Sequence, residues 1–152
     1  MQNIKIFIKS IAIPLLLGIL VGVIISGSMD YEILEKPFLA PPGWLFPIVW
    51  TILYILMGVS YGILENKGLD DSEVKSIYYA QLITNLLWPI AFFVFKWRFF
   101  AFLWILLLLG LIIKMIVEFY KKDKLAGLLQ IPYLIWTTFA TYLNLAVYLL
   151  NR

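Results

Sequence analysis

Charged residues divide this chain into long uncharged stretches. Ser10 to Met29, Pro37 to Leu64, Ser76 to Phe95 and Leu125 to Asn151 run for 20, 28, 20 and 27 residues without an Asp, Glu, Lys or Arg, and Phe99 to Ile113 runs for 15. A helix needs about 20 mainly apolar residues to cross the hydrocarbon core of a bilayer. Four stretches meet that length outright. The Phe99 stretch meets it if Lys114 snorkels to the membrane surface or pairs with Glu118 four residues on, which extends the helix to about Tyr120. The pattern predicts five transmembrane helices, over about residues 5–27, 43–64, 76–95, 99–120 and 125–150, in a single all-α membrane domain covering 1–152. The first stretch also has the form of a secretory signal, since Lys5 and Lys9 precede an apolar run ending in Ser26-Gly27-Ser28. A retained helix is favoured, because cleavage would remove a fifth of an already minimal bundle.

Composition agrees with lipid as the solvent. Hydrophobic residues make up 63% and charged residues 14% of the 152, against roughly 45–50% and 25% in soluble domains, so there is too little polar surface to coat a water-facing sphere. The chain has no histidine and no cysteine. Their absence removes Ser-His and Cys-His nucleophile systems, imidazole or thiolate metal sites and disulfides; no catalytic or metal-binding residue is assigned on these grounds. A net charge of +3 is too small and too dispersed for a nucleic-acid partner. No helix carries an array of ionisable groups at mid-membrane depth, which argues against a pump or channel, and no two hydropathy-related halves suggest a transporter.

With five crossings the termini lie on opposite sides. Lys5, Lys9, Lys67, Lys75, Lys121, Lys122 and Lys124 fall on the N-terminal side, and Lys36, Lys96, Arg98 and Arg152 on the other, which favours a cytoplasmic N-terminus. A bacterial cytoplasmic membrane is the simplest location. The first connection differs from the others: Lys36-Pro37-Phe38-Leu39-Ala40-Pro41-Pro42-Gly43 has three prolines and large apolar side chains, the makings of a semi-rigid lid over one mouth of the bundle. The simpler reading is that Pro42 starts the second helix and the rest anchors at the membrane surface.

Inside a bilayer, polar side chains point into the bundle and map its interior. Gln81, Thr84, Asn85 and Trp88 fall near one face of the third helix; Tyr133, Trp136, Thr137, Ala140 and Asn144 follow a helical stripe on the fifth; Trp44, Trp50 and Tyr54 lie on the second. Apolar walls, flat rings and a few amides are the composition of a small-molecule pocket. They are also the composition of ordinary interhelical contacts and interfacial anchors, and Trp97 and Tyr120 read as anchors. Pro89 and Pro132 leave the carbonyls of Asn85 and Leu128 without their helical donors. Gly18-x-x-x-Gly22 and Gly58-x-x-x-Gly62 allow close helix approach, within the monomer or at a dimer seam. A weak sterol-recognition pattern, Leu143, Tyr148 and Arg152, closes the chain.

Three segments carry a resemblance. Tyr31-x-x-Leu34-x-Lys36-Pro37-x-x-x-Pro41-Pro42-x-Trp44-x-Phe46-x-x-x-Trp50-x-x-x-Tyr54-x-x-Met57-Gly58 resembles the first loop and second helix of the TspO family, the tryptophan-rich sensory proteins related to the mitochondrial translocator protein or peripheral benzodiazepine receptor. Gln81-Leu82-x-x-Asn85-x-x-Trp88-x-x-x-Phe92-Phe93 is similar to its third helix, and Pro132-Tyr133-x-x-Trp136-x-x-Phe139-Ala140-x-x-Leu143-Asn144 to its fifth. The resemblance implies a five-helix bundle, often a homodimer, that binds porphyrins, sterols or benzodiazepine-type drugs in a pocket opening towards the first loop. Carried over by motif, Trp50, Asn85, Trp136 and Ala140 are pocket residues and Tyr31 belongs to the lid; Tyr54, Gln81, Trp88 and Asn144 join them from the helical faces above. The small side chain of Ala140 would leave room for a ligand. Asp30 and Leu39 depart from the aromatic residues many members carry in the loop.

The function expected on this basis is a membrane receptor or sensor for protoporphyrin IX and other flat hydrophobic ligands, with no obligatory cofactor. Without His or Cys a metal-free porphyrin is easier to hold than haem, although Tyr and Met remain available as ligands. Light- and oxygen-dependent porphyrin breakdown, with Trp50 and Trp136 as redox-active groups, is the alternative implied by similar bacterial proteins; porphyrin or sterol transport is the third.

Overall fold

The computed structural model describes residues 2–152, and every uncharged stretch contains a helix. Helix α1 (Gln2–Ile25) leads through two short turns into the proline-rich loop; α2 (Leu45–Asn66), α3 (Ser72–Pro89) and α4 (Arg98–Lys122) follow; a short α5 (Lys124–Leu128) and α6 (Ile131–Asn151) complete the fold. There is no strand among the described residues, and five spans are long and apolar enough to cross a membrane. Burial follows the logic of a lipid-facing bundle. The α3 span has a mean hydropathy of 1.4 and 56% of its apolar window is buried, whereas the α1 span reaches 2.5 with 17% buried. The more polar helix is inside because its hydrogen-bonding groups cannot face hydrocarbon.

Two prolines shape the ends. Pro89 has no N–H to donate, and the helix widens after it into one i→i+5 turn, Phe95 N–H donating to the Ile90 carbonyl at 3.1 Å. Lys96 then takes a left-handed backbone (φ 57) and is held by its ammonium on the carbonyls of Phe93 and Ser28. The fifth span, expected as one helix, is broken. Pro132 cannot serve the Leu128 carbonyl, the chain tightens through Gln130 N–H to the Gly127 carbonyl, and α6 begins afresh with the proline in its first turn.

Tyr78, Met57, Leu108, Ile112, Met115 and Phe119 form the core where α2, α3 and α4 meet. Ser60 Oγ donates to the Ala126 carbonyl at 2.6 Å, and Trp104 Nε1 to the Thr84 carbonyl at 2.8 Å, tying α5 to α2 and α4 to α3. At the lysine-rich end ion pairs cross between elements: Lys9 with Glu65, Lys67 with Asp123 and Lys122 with Asp71. Lys114 is exposed, and Glu118 pairs with Lys121 instead, 3.5 Å away.

The glycine motif of α2 serves packing within the monomer. Gly58 lies against the backbone of α1, where an added Cβ would come within 2.6 Å of the Ser10 carbonyl oxygen and would meet the Ile11 backbone. Backbone cannot swing aside as a side chain can. Gly58→Ala is therefore expected to cost about 1–3 kcal/mol, as overpacking does, and to lower the thermal midpoint of the detergent-solubilised protein; a midpoint equal to wild type would show that α1 slides freely on α2.

Candidate functional site

At the end of the bundle under the loop, α1, α2, α3 and α6 enclose a cavity of about 290 Å³. Trp50 and Tyr54 come from α2, Asn85 and Trp88 from α3, Trp136, Ala140 and Asn144 from α6, and Tyr31 from the loop. Eight of the nine residues expected at a pocket thus line one space. Gln81, the ninth, lies one helical turn deeper and does not line it, because its amide is used inside the bundle. Trp44 precedes α2 and is largely exposed, as are the rings of Trp97 and Tyr120 at helix ends.

A wall that residue patterns did not reveal comes from α1. Leu15, Gly18, Val21, Gly22 and Ile25 face the cavity, and Gly18 packs against the Tyr54 ring while a Cβ on Gly22 would meet nothing within 4 Å. The only signal was the Gly18-x-x-x-Gly22 motif, read as helix packing; at Gly22 the missing side chain leaves volume instead. Phe92 and Phe93 also reach the cavity, delivered by the widened turn after Pro89.

The floor is a chain of hydrogen bonds. The Tyr54 hydroxyl donates to Asn85 Oδ1 at 2.6 Å, Asn85 Nδ2 donates to the Tyr133 hydroxyl at 2.8 Å, Tyr133 donates to Gln81 Oε1 at 2.7 Å, and Gln81 Nε2 donates to the Tyr78 carbonyl at 2.9 Å. Nearer the loop, Trp88 Nε1 donates to Asn144 Oδ1 and Asn144 Nδ2 to the Arg98 carbonyl, each at 2.8 Å. Most of the polar groups around the cavity thus satisfy one another. The Trp136 indole N–H is buried without an acceptor. The rings continue the wall: Trp50 is 5.9 Å from Tyr54 and 6.4 Å from Tyr133, and Phe46 stands edge-on between Tyr31 and Trp136.

The loop is tied down as a lid. Tyr31 is buried and its hydroxyl donates to the Pro41 carbonyl at 2.5 Å, while the Lys36 ammonium donates to the carbonyls of Tyr31, Glu32 and Leu34. The Asn151 amide grips the backbone of Glu35 from both sides at 2.9 Å, and the Tyr142 hydroxyl donates to the Phe38 carbonyl. Phe38 and Leu39 point outward, with Leu39 in a left-handed backbone (φ 73). Asp30, where an aromatic residue was expected from the resemblance, instead accepts two hydrogen bonds from Arg98 at 2.6 and 2.7 Å, with Lys96 3.6 Å away.

Partial burial works to raise the Asp30 carboxyl, but the hydrogen bonds and charge of Arg98, with Lys96, outweigh it and hold the group below its ordinary 3.8. A carboxylate depressed in the folded state stabilises at pH values above its unfolded pKa, and that contribution is lost as the pH falls through the folded value. Asp30→Asn is expected to cost roughly 1–3 kcal/mol at neutral pH, the worth of a hydrogen bond to a charged group, and to speed amide exchange in Tyr31–Leu39. The difference from wild type should shrink as the pH drops below 3.8; a difference that stays constant down to pH 2 would mean the charge plays no part.

Residues 10–150 match the model of the TspO/MBR family. The chain belongs to that family. It is 41% identical to the tryptophan-rich protein TspO of Archaeoglobus fulgidus, over 99% of each chain. It is 36% identical to the protein CrtK of Rhodobacter capsulatus, covering 86% of this chain and 83% of that one, and 34% identical to the human translocator protein, covering 81% and 75%. A multi-pass membrane bundle is thus established by family and fold together. The three segments that carry the TspO resemblance, the loop with α2, the polar face of α3, and α6, all line the cavity, with α1 as the remaining wall.

Proposed function

We propose that this TspO/MBR protein is a membrane receptor that takes up a flat hydrophobic ligand, a metal-free tetrapyrrole such as protoporphyrin IX foremost, in the cavity beneath the loop. The observation that carries this reading is the convergence of Trp50, Trp88 and Trp136 on one apolar space. The rings stack on a flat molecule. About 290 Å³ lies at the lower edge of small-molecule sites, and a macrocycle of four pyrroles needs more. Binding on this reading requires the tied loop to lift, so the lid sets the rate of entry. Sterol-like and benzodiazepine-type molecules are smaller candidates for the same space.

Titration of the purified protein with protoporphyrin IX, followed by tryptophan quenching and by the porphyrin absorption band, tests the reading. Trp50→Phe with Trp136→Phe is expected to weaken binding by about tenfold or more, since aromatic contacts contribute about 0.5–1.5 kcal/mol each beyond their area. Equal affinity in the double variant would remove these rings from the site.

A second reading, light- and oxygen-dependent porphyrin breakdown, is favoured by the ring series Trp50, Tyr54 and Tyr133, in which both hydroxyls already donate along a hydrogen-bonded chain. Bleaching of porphyrin under illumination no faster than in detergent alone would exclude it. Transport ranks third. We place the lysine-rich end in the cytoplasm of a bacterial membrane, a point that cysteine labelling can decide because the chain has no cysteine of its own.

A further inference from the structure

At the lysine-rich end a second cavity, also of about 290 Å³, opens among α1, α2 and α3, and it shares no lining residue with the first. Its chemistry is different. Tyr61 stacks on Tyr78 with ring centres 4.5 Å apart, and Tyr79 stands edge-on to Tyr78 at 5.2 Å. Glu65 and Asp70 add two carboxylates to this tyrosine wall. Tyr78 is only 1% exposed and its hydroxyl has no hydrogen-bond partner; Glu65 Oε1 is likewise buried and unpaired.

A carboxylate oxygen and a hydroxyl left unmatched in a shielded place call for a donor, and a charged donor satisfies them best. The donors already on the two carboxylates are the Tyr61 hydroxyl, 3.4 Å from Asp70 Oδ2, and two ammonium groups. Lys9 reaches Glu65 Oε2 at 3.1 Å and Lys75 lies 4.0 Å from Asp70 Oδ2, with side chains 64% and 58% exposed. Exposed pairs of this kind contribute little, so the two lysines are easily displaced by an amine of the same chemistry. A hard metal ion is poorly served, because calcium takes about 6–8 oxygen ligands and no group of three or more acidic or other metal-ligating side chains occurs among the described residues.

We infer that this cavity is a binding site for a primary ammonium group, which rests against the tyrosine faces and donates to Glu65 Oε1, Asp70 and the Tyr78 hydroxyl. The same chemistry is offered by a free small amine and by the ethanolamine headgroup of a membrane phospholipid. The site stands apart from the upper cavity, and its test does not depend on porphyrin.

The purified full chain in detergent is titrated calorimetrically with ethanolamine and putrescine, and incubated with phosphatidylethanolamine or phosphatidylcholine before native mass spectrometry. Saturable binding of a primary amine or of phosphatidylethanolamine is expected, with phosphatidylcholine, which has no N–H, bound less. Whichever arm saturates identifies the source. Glu65→Gln should weaken that binding by about tenfold or more, the worth of one hydrogen bond to a charged group, and Tyr78→Phe by a smaller factor. Trp50→Phe should leave it unchanged. Absence of saturable binding in both arms, or wild-type affinity in both Glu65→Gln and Tyr78→Phe, overturns the assignment. If Glu65→Gln does not fold, Tyr78→Phe decides alone, since it removes only the unpaired hydroxyl.

Discussion

Replacing Ala140 with phenylalanine is expected to abolish porphyrin binding while leaving the bundle folded. Ala140 lies on α6 between Trp136, one turn before it, and Asn144, one turn after, and all three line the cavity. Because Ala140 lines the cavity, a larger side chain there extends into it. In a filled core the extra ring would cost about 1–3 kcal/mol through forced rotamers, but here it occupies empty space and replaces it with contacts. The thermal midpoint should therefore stay close to wild type or rise. Affinity for protoporphyrin IX should fall by about a hundredfold or more, because a rigid ring cannot share that space with a rigid macrocycle. Ala140→Ser, which barely changes the volume, should bind within a few-fold of wild type. Unchanged affinity in Ala140→Phe would put the ligand elsewhere, whatever the tryptophans report.

The five spans are legible because membrane helices are bounded by charge: each uncharged stretch ends at a charged residue, and two of the ion pairs, Lys9 with Glu65 and Arg98 with Asp30, form between those residues. The α3, α6 and α2 walls of the cavity are legible for a related reason, since amides in a bilayer face inward and fix the direction of the rings on the same helical face. The α1 wall is not, because Leu15, Val21 and Ile25 suit lipid and cavity equally well. Gln81 shows the opposite failure. Its inward direction is readable from the helical face it shares with Asn85, but its depth is not, and one turn separates a cavity wall from a buried tether. The break before α6 is signalled by Pro132, yet whether a proline kinks a helix or starts a new one depends on the tight turn formed by Gln130 and Gly127. Asp30 acquires its meaning only from Arg98, 68 residues away.

Asn85→Leu is expected to destabilise the protein by roughly 2–5 kcal/mol, the sum of two lost bonds and the groups they strand. The Asn85 amide sits at the midpoint of the floor, accepting from Tyr54 and donating to Tyr133, so it joins α2 and α6 through α3. Leucine has a similar volume and removes both bonds at once. The Tyr54 hydroxyl then loses its acceptor beside an apolar cavity, while Tyr133 keeps the bond it donates to Gln81 and loses only the one it accepts. The larger share of the cost should therefore pass through Tyr54. This gives the prediction its control: Tyr54→Phe added to Asn85→Leu should recover part of the loss, because removing both partners of a buried hydrogen bond is cheaper than stranding one. Thermal or denaturant unfolding of wild type, both single variants and the double variant closes the cycle. Additive losses would mean that Tyr54 and Asn85 are independent, and the floor would then be a set of separate contacts. A strong positive coupling makes it one polar strut that holds the aromatic wall in place, with Asn85 acting on any ligand chiefly through the position of Tyr54.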